Sequence, residues 1–383
     1  MARTPITHVE TSPQGLVALV YGTNMHVADS AGKIVASTSD GVDGVAKISG
    51  PGKGEIITVA FSHDGALLAV CTGDKTVTIF STDDWAPVRS LAAAKRPTAI
   101  TFDLEGANLI IADKFGEVHR TPTAASAGSN KPDLLLGHVS IVCDVKVAYE
   151  QPYVLTCDRD EKLRVSKYPN AYNIQAFGLG HTEFVTSIAT ARFAPDNAVT
   201  GAGDGTVRLW ELSSGRLLQT VNLKDVLAKY YADGRAKCGV NSFEDHNAAE
   251  QRYGVLRVRA VEEPRMFVVA VERIPAVVVV EFGDGPALVN VRAVDIARPP
   301  TDVAVLGSRV IAAYAPAASE ADAGSSDALA VALAPKAGEL TVDEPLTAAL
   351  NAVPTQLAES VPSVPSIYIW GNKMSVDRPR DDE

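Results

Sequence analysis

The chain has 383 residues, 46% of them apolar and 21% charged, with a formal net charge of −11. This is the composition of a folded protein large enough for one big core or two domains, and it excludes a uniformly basic nucleic-acid-binding surface. Part of the negative charge is local: in 316–365 one basic residue, Lys336, stands against seven acidic ones, a net of −6, so the remaining body is close enough to neutral for a local basic face.

No window has the 18 or so uninterrupted apolar residues of a membrane span, and "MARTPITHVE" lacks the apolar core of a secretory signal. The expected location is the nucleus, with the cytoplasm as the alternative. Cys71, Cys143, Cys157 and Cys238 lie far apart without C-x-x-C pairing or histidines at zinc-ligand spacing, and are read as reduced thiols.

In chain order, alternating β-branched and apolar runs end in short polar turns and restart. "GLVALVYGTNMHVADSAGKIVAS" (15–37) is a first such unit, followed by 55–85, 96–122, 142–169 and 185–212, each reading as three strands joined by tight turns. The turn aspartates Asp74, Asp113, Asp158 and Asp204 stand 39, 45 and 46 residues apart, and Gly137-His138 recurs as Gly180-His181 after 43. That is the period of WD-type blades. Extrapolation adds a sixth blade at 254–282 and a seventh from 301–316 plus "SIYIWG" (366–371), with "ITHVET" (6–11) as the strand that closes the ring. The fold class is therefore all-β, a seven-bladed WD-repeat β-propeller over 1–315. A surface helix is expected in the insertion 222–253, a disordered Ala/Pro/acidic insertion at 316–365 and a flexible tail at 372–383.

The unit at 180–212 shows why these residue types recur. His181, Thr200, Asp204 and Trp210 are expected to form a buried hydrogen-bonded chain, since a buried carboxylate is tolerable only with such partners. The other blades depart from the pattern, the tryptophan position falling to Phe80, His119 and Lys167. Signs of catalysis are few. "GAGDGT" (201–206) lacks G-x-G-x-x-G spacing and precedes a strand, and "SGPGKGE" (49–55) lacks the G-x-x-x-x-G-K-[ST] of a phosphate loop, so both read as loops. No catalytic, cofactor or metal residues are assigned, and the chain is not expected to be an enzyme.

One stretch exceeds what a blade turn requires: the ten positions from Asp158 to Lys167 hold seven charged side chains. The plain reading is a solvated turn. Taken together, however, "DRDEKLRVSKYP", "LGHTEFVTSI", "LLLGHVSIVCDV" and "ADKFGEV" resemble the WD-repeat, non-catalytic subunit of the eukaryotic tRNA (guanine-N7-)-methyltransferase, densely from about 109 to 212 and weakly elsewhere. The resemblance implies a propeller that clamps a separate catalytic subunit, which binds S-adenosylmethionine and methylates a guanosine in the tRNA variable loop. This chain would meet tRNA through the complex and no membrane. It further implies that Arg159, Asp160, Glu161, Lys162 and Arg164 lie at the subunit contact, with an internal Glu161–Arg164 pair presetting the arginine. Lys114 and Glu183 would extend the same face, or be ordinary rim charges. The alternatives are a generic WD adaptor, such as a ubiquitin-ligase substrate receptor, and a propeller enzyme.

Overall fold

The computed structural model describes residues 6–39, 44–124, 131–236, 253–314, 330–336 and 339–352. Blade 1 is β1 (His8–Thr11), β2 (Val17–Tyr21), β3 (Asn24–Ala28) and β4 (Ile34–Ser37), with the short β5 (Ala46–Lys47) parallel to β4. Blade 2 is β6 (Ile56–Phe61), β7 (Leu67–Thr72), β8 (Thr76–Ser81) and β9 (Pro87–Ala92). Blade 3 is β10 (Pro97–Phe102), β11 (Asn108–Asp113), β12 (Glu117–Pro122) and β13 (Asp133–Gly137). Blade 4 is β14 (Val142–Val147), β15 (Tyr153–Asp158), β16 (Lys162–Lys167) and β17 (Ile174–Leu179). Blade 5 is β18 (Val185–Ala189), β19 (Asn197–Ala202), β20 (Thr206–Glu211) and β21 (Leu217–Asn222). After helix α1 (Lys224–Ala232) comes blade 6, β22 (Val255–Val261), β23 (Met266–Val271), β24 (Ala276–Phe282) and β25 (Leu288–Asp295). Blade 7 is β26 (Pro300–Leu306), β27 (Arg309–Tyr314), β28 (Ala330–Lys336) and β29 (Glu339–Val342), and helix α2 (Glu344–Asn351) follows. Each sheet takes its strands consecutively along the chain.

A propeller strand is buried on both faces because sheets stack on both sides of it, so β24 can be an almost unbroken valine run with all but one residue buried. The core is accordingly a set of layers between blades. Leu155, Leu163 and Val165 of blade 4 pack on Ile188, Ala198 and Trp210 of blade 5, and blade 1 packs similarly on blade 2.

The inner strands carry a second device. Six of the seven bulge near their start, as at Pro97/Ala99, Val185/Ser187 and Pro300/Asp302. The bulge turns a threonine hydroxyl toward the next blade: Thr98 donates to the Val142 carbonyl at 2.6 Å, Thr186 to Val255 at 2.7 Å and Thr301 to Ile6 at 2.7 Å. Ser187 and Asp302, which follow Thr186 and Thr301, each accept an N–H from that same neighbour, from Val258 and Val9 at 3.1 Å, and Asp144, which follows Cys143 in blade 4, accepts from Ile188 of blade 5 at 2.9 Å. The inner strands surround an axial channel of about 740 Å³.

Two expectations about the ends of the chain are corrected. The N-terminal segment is not a closing strand of blade 7: β1 is the innermost strand of blade 1, paired His8 to Val20 and Thr11 to Val17. The ring closes between sheets, through the Thr301 and Asp302 bonds and an apolar layer joining Ile6, Val9 and Leu19 to Ala304, Ile311 and Ala330. Nor is 316–365 a disordered excursion throughout. Residues 330–336 and 339–342 are the third and fourth strands of blade 7, and α2 buries Leu346 and Leu350 in the layer between blades 7 and 1. Asp343 caps α2 by accepting from the Leu346 N–H at 3.2 Å, and Pro345 sits in the first turn. "SIYIWG" (366–371) and the tail 372–383 lie outside the described residues. The helix expected within 222–253 is α1, anchored by buried Leu227 and Tyr230, whose hydroxyl donates to Asp295.

Candidate functional site

Blade 5 contains the expected buried chain. A carboxylate can only accept, so His181 Nδ1 carries the proton and donates to Asp204 at 2.9 Å, while Nε2 accepts from the Thr200 hydroxyl at 2.8 Å. Thr200 Oγ1 in turn accepts from Trp210 Nε1 at 2.7 Å. Every polar atom along this path finds a partner, which is the condition for burying it. Burial alone would raise the Asp204 carboxyl, but hydrogen bonds from His181, Thr206 and the Thr182 N–H bring it down to about 2. A folded value below the unfolded 3.9 or so means stability that is present above about pH 4 and lost as the pH falls toward 2, about 2–3 kcal/mol for this one group. Asp204→Asn is therefore expected to destabilise the chain near neutrality and to flatten its acid limb, read as urea midpoints at pH 5 and pH 3. Parallel profiles for variant and parent would contradict this.

The other hairpins differ in register. The turns between the second and third strands begin at Thr72, Asp113, Asp158 and Ala202, as the closing pairs Cys71–Val77, Ala112–Val118, Cys157–Leu163 and Gly201–Val207 require. Asp113 and Asp158 thus open their turns, whereas Asp74 and Asp204 sit two residues further on, where blade 4 has Asp160. Counting from the same pairs, the residue at the Trp210 position is Phe80 in blade 2, as expected. In blades 3 and 4 it is Thr121, two residues after the expected His119, and Ser166, one residue before the expected Lys167. Blade 4 keeps the histidine with a shifted acid: His138 donates to Asp158 at 3.0 Å and accepts from Thr156 at 2.7 Å.

The charged stretch divides in two. Asp158 is buried, accepting from His138 and from the Lys162 N–H at 3.0 Å. Arg164 is 7% exposed, and the expected Glu161–Arg164 pair is replaced by three inward bonds. Nε donates to Ser166 at 2.8 Å, and the two terminal nitrogens donate to the carbonyls of Gly137 in blade 3 at 2.8 Å and Ala171 at 3.0 Å. Arg164 thereby ties blade 4 to blade 3, with a donor from each of its three nitrogens used inside the protein. Arg159, Asp160, Glu161 and Lys162 face outward, and Lys167 is exposed at the end of β16. Arg159 lies 3.8 Å from Asp160, which accepts from Ser140 at 2.7 Å, and Lys162 Nζ donates to the Asp160 carbonyl at 2.9 Å. Glu161 is exposed with φ 71°, at a position where blades 3 and 5 use Gly116 and Gly205. A non-glycine there costs about 1 kcal/mol, and blade 2 accepts the same cost with Lys75 at φ 70°.

Sequence reasoning missed two apolar side chains beside this turn, Val139 in the loop after β13, fully exposed, and Leu179, 62% exposed and paired with Lys162, and a third, Phe115, 57% exposed at the blade 3 turn. The available signal was their position, each adjacent to a turn or loop glycine or histidine where a polar residue is usual. Lys114 is exposed beside Phe115. Glu183, half-buried in the loop before β18, lies near Gly203, where an added Cβ would come within 2.7 Å of its carboxylate. The structure therefore gathers Lys114, Arg159, Asp160, Glu161, Lys162 and Glu183 at one end of blades 3 to 5 and withdraws Arg164 from them.

The two glycine loops are structural. A Cβ on Gly201 would meet Val255 at 2.4 Å, and Gly52, with φ 134°, lies against Thr72. Cys71, Cys143 and Cys157 are free thiols whose ionisation burial opposes, and Cys238 lies outside the described residues.

This geometry defines a seven-bladed WD-repeat propeller. The solved WD40 repeats of RRP9 match over 82% of this chain and 88% of that one with a TM-score of 0.64 at 17% identity. The structure of U3-55K matches over 82% and 89% with a TM-score of 0.62, also at 17% identity. Residues 33–133 and 123–331 match the tRNA methyltransferase TRM82 WD40 domain, and the chain belongs to that family. It is 38% identical over 172 residues to the tRNA (guanine-N(7)-)-methyltransferase non-catalytic subunit WDR4 of Homo sapiens, covering 45% of this chain and 41% of that protein. It is 34% identical over 241 residues to the corresponding Xenopus laevis subunit, covering 60% and 59%. To the non-catalytic subunit TRM82 of Debaryomyces hansenii it is 34% identical over 206 residues, covering 49% and 46%. The chain thus spans about half the length of the curated relatives it matches.

Proposed function

We propose that this chain is the non-catalytic scaffold of a tRNA (guanine-N7-)-methyltransferase, docking a separate catalytic subunit on the blade 4 turn. The carrying observation is the outward set Arg159, Asp160, Glu161 and Lys162 flanked by exposed Val139 and Leu179. Charges of both signs beside unburied apolar side chains are the makings of a protein interface, with the charges setting register and the apolar groups supplying area. Glu183 and Lys114 extend the surface on either side. S-adenosylmethionine then belongs to the catalytic partner, tRNA is met through the complex, and the nucleus is the working compartment.

Reconstitution tests this. The purified chain alone is expected neither to bind S-adenosylmethionine in calorimetry nor to methylate tRNA, and a methyltransferase subunit added to it should co-elute and show guanine-N7 methylation. Micromolar donor binding by this chain alone would overturn the assignment.

A further inference from the structure

The axial channel, about 740 Å³, has the size of a small-molecule pocket. Lys146 on β14, Arg257 and Arg259 on β22 and His8 on β1 line it together with Glu10, Asp144 and Asp302, so the two signs of charge are balanced in number. Their burial is not balanced. The Asp144 and Asp302 side chains are each 3% exposed and turned into the wall, Asp144 accepting from the Val145 and Ile188 N–H groups at 2.9 Å and Asp302 from Val303 at 2.9 Å and Val9 at 3.1 Å. The cations keep more surface in the lumen, Lys146 25%, Arg257 22% and Arg259 14%. They also have donors to spare. Among the described residues Arg257 donates only from Nε, to Asp302 at 3.1 Å, and Arg259 only from one terminal nitrogen, to Glu10 at 2.9 Å, while Lys146 Nζ stays 3.6 Å from Asp144. Arg259 Nε and His8 Nδ1 are buried without a hydrogen-bond partner in the protein. Buried polar atoms are seldom left so, and two of them on one channel wall point to a ligand that completes them. Burial, against the pull of Asp302 and helped by both arginines, brings the His8 imidazole down to about 4, so near pH 7 the ring is neutral and suits a hydroxyl rather than an anion.

We propose that the channel binds a small polyol carrying two or three phosphate groups, held by Lys146, Arg257 and Arg259 with a ligand hydroxyl at His8. Guanidinium forks match phosphate oxygens in pairs, and a lysine takes a further phosphate as a point charge. Alternation along β22 puts Arg257 and Arg259 on one face of the strand, which here is the lumen. The inner strands begin beside the blade turns, Val142 pairing with Asp158, and run to the opposite mouth, where Arg192 lies over the Tyr149 ring at 4.7 Å. Of the two acids at that mouth, Glu262 accepts from the Arg192 N–H at 3.0 Å and Glu263 is exposed. A ligand entering there does not compete with a subunit on the blade 4 turn. It bridges blades 1, 4 and 6 across the ring, which couples occupancy to stability.

The purified full chain is the test object, with inositol trisphosphate as probe. Calorimetry should show one site per chain with a Kd of about 1–100 µM, and the melt should rise by about 3 °C at a hundredfold excess over Kd. Inorganic phosphate, with neither hydroxyls on a carbon frame nor a second phosphate, should bind at least about tenfold more weakly. Lys146→Gln, which keeps both N–H bonds of Asp144, should weaken binding of the probe about ten- to a hundredfold, and so should Glu10→Gln with Arg259→Gln, which removes an ion pair whole. Lys53→Gln with Lys75→Gln, on exposed loops of blade 2, should leave the affinity unchanged. Neither heat nor a melt shift at millimolar probe overturns the site, as does equal affinity for inorganic phosphate. Binding that survives Lys146→Gln, or that falls in the Lys53/Lys75 variant, places the probe on the outer surface and overturns it too. If the Glu10/Arg259 variant does not fold, Lys146→Gln decides alone.

Discussion

Replacing residues 316–365 with a short Gly/Ser linker is expected to cost the chain its cooperative melt. The segment supplies β28, β29 and α2, and with them the buried side chains Val331, Leu333, Leu340, Leu346 and Leu350. Each such side chain contributes about 1.5–3 kcal/mol on burial, so the five together are comparable to the whole 5–15 kcal/mol that holds a typical domain folded. Excision also bares the pairing edge of β27 and uncovers the layer between blades 7 and 1, just where the ring closes without a shared strand. Circular dichroism melts and solubility read the result. A variant that stays soluble and melts within about 2 °C of the parent would show that blade 7 does not depend on this segment.

The same segment shows where sequence reading fails. Blades 2 to 5 were legible because β-branched alternation and aspartate turns recur at a fixed period, and each strand signal is strong by itself. β28, "AVALAPK", and β29, "ELTV", are short, with alanines and a proline in the former, and they adjoin Ala/Pro/acidic sequence with the composition of disorder. What makes them strands is tertiary: Ala312 and Ala313 on β27 offer an edge, and small residues let the layers approach. The cap of α2 was visible in the order Asp343, Glu344, Pro345, but a cap identifies a helix start only where a helix is already suspected.

Arg164 was misplaced for a related reason. Alternation along β16 buries Leu163 and Val165, and in an ordinary half-exposed sheet that would send Arg164 and Ser166 to solvent. In a propeller the other face is covered too, so the arginine enters the seam between blades 3 and 4 and must find acceptors there. The turn aspartates misled in the same fashion. Their spacing gives the blade period, yet a two-residue shift within a turn leaves the period almost unchanged while moving the carboxylate from the third turn position to the first. What remained legible was the exceptional charge of the turn itself, because the blade architecture uses only Asp158 and Arg164 of it.

Arg159→Glu together with Lys162→Glu is expected to abolish co-purification with the methyltransferase subunit while leaving the melt of the isolated chain near that of the parent. Both side chains are about one-third exposed and their local ion pairs are long, 3.8 Å from Arg159 to Asp160 and 3.7 Å from Lys162 to Asp158, so their part in folding is under about 1 kcal/mol. Closed into an interface, the same charges meet partner carboxylates in a drier setting, and reversal costs about 2–5 kcal/mol, a thirtyfold to several-thousandfold loss of affinity. Arg164→Glu supplies the contrast. It strands the Gly137 and Ala171 carbonyls and buries a carboxylate beside them, at a penalty of about 3–5 kcal/mol, so it should lower the melt before any partner is added. Loss of binding in that variant would report a loosened seam between blades, whereas loss in the Arg159/Lys162 variant reports the surface. Titration of the catalytic subunit against each variant, alongside its thermal melt, separates the two. An Arg159/Lys162 double reversal that binds with unchanged affinity would return the turn to a solvated loop.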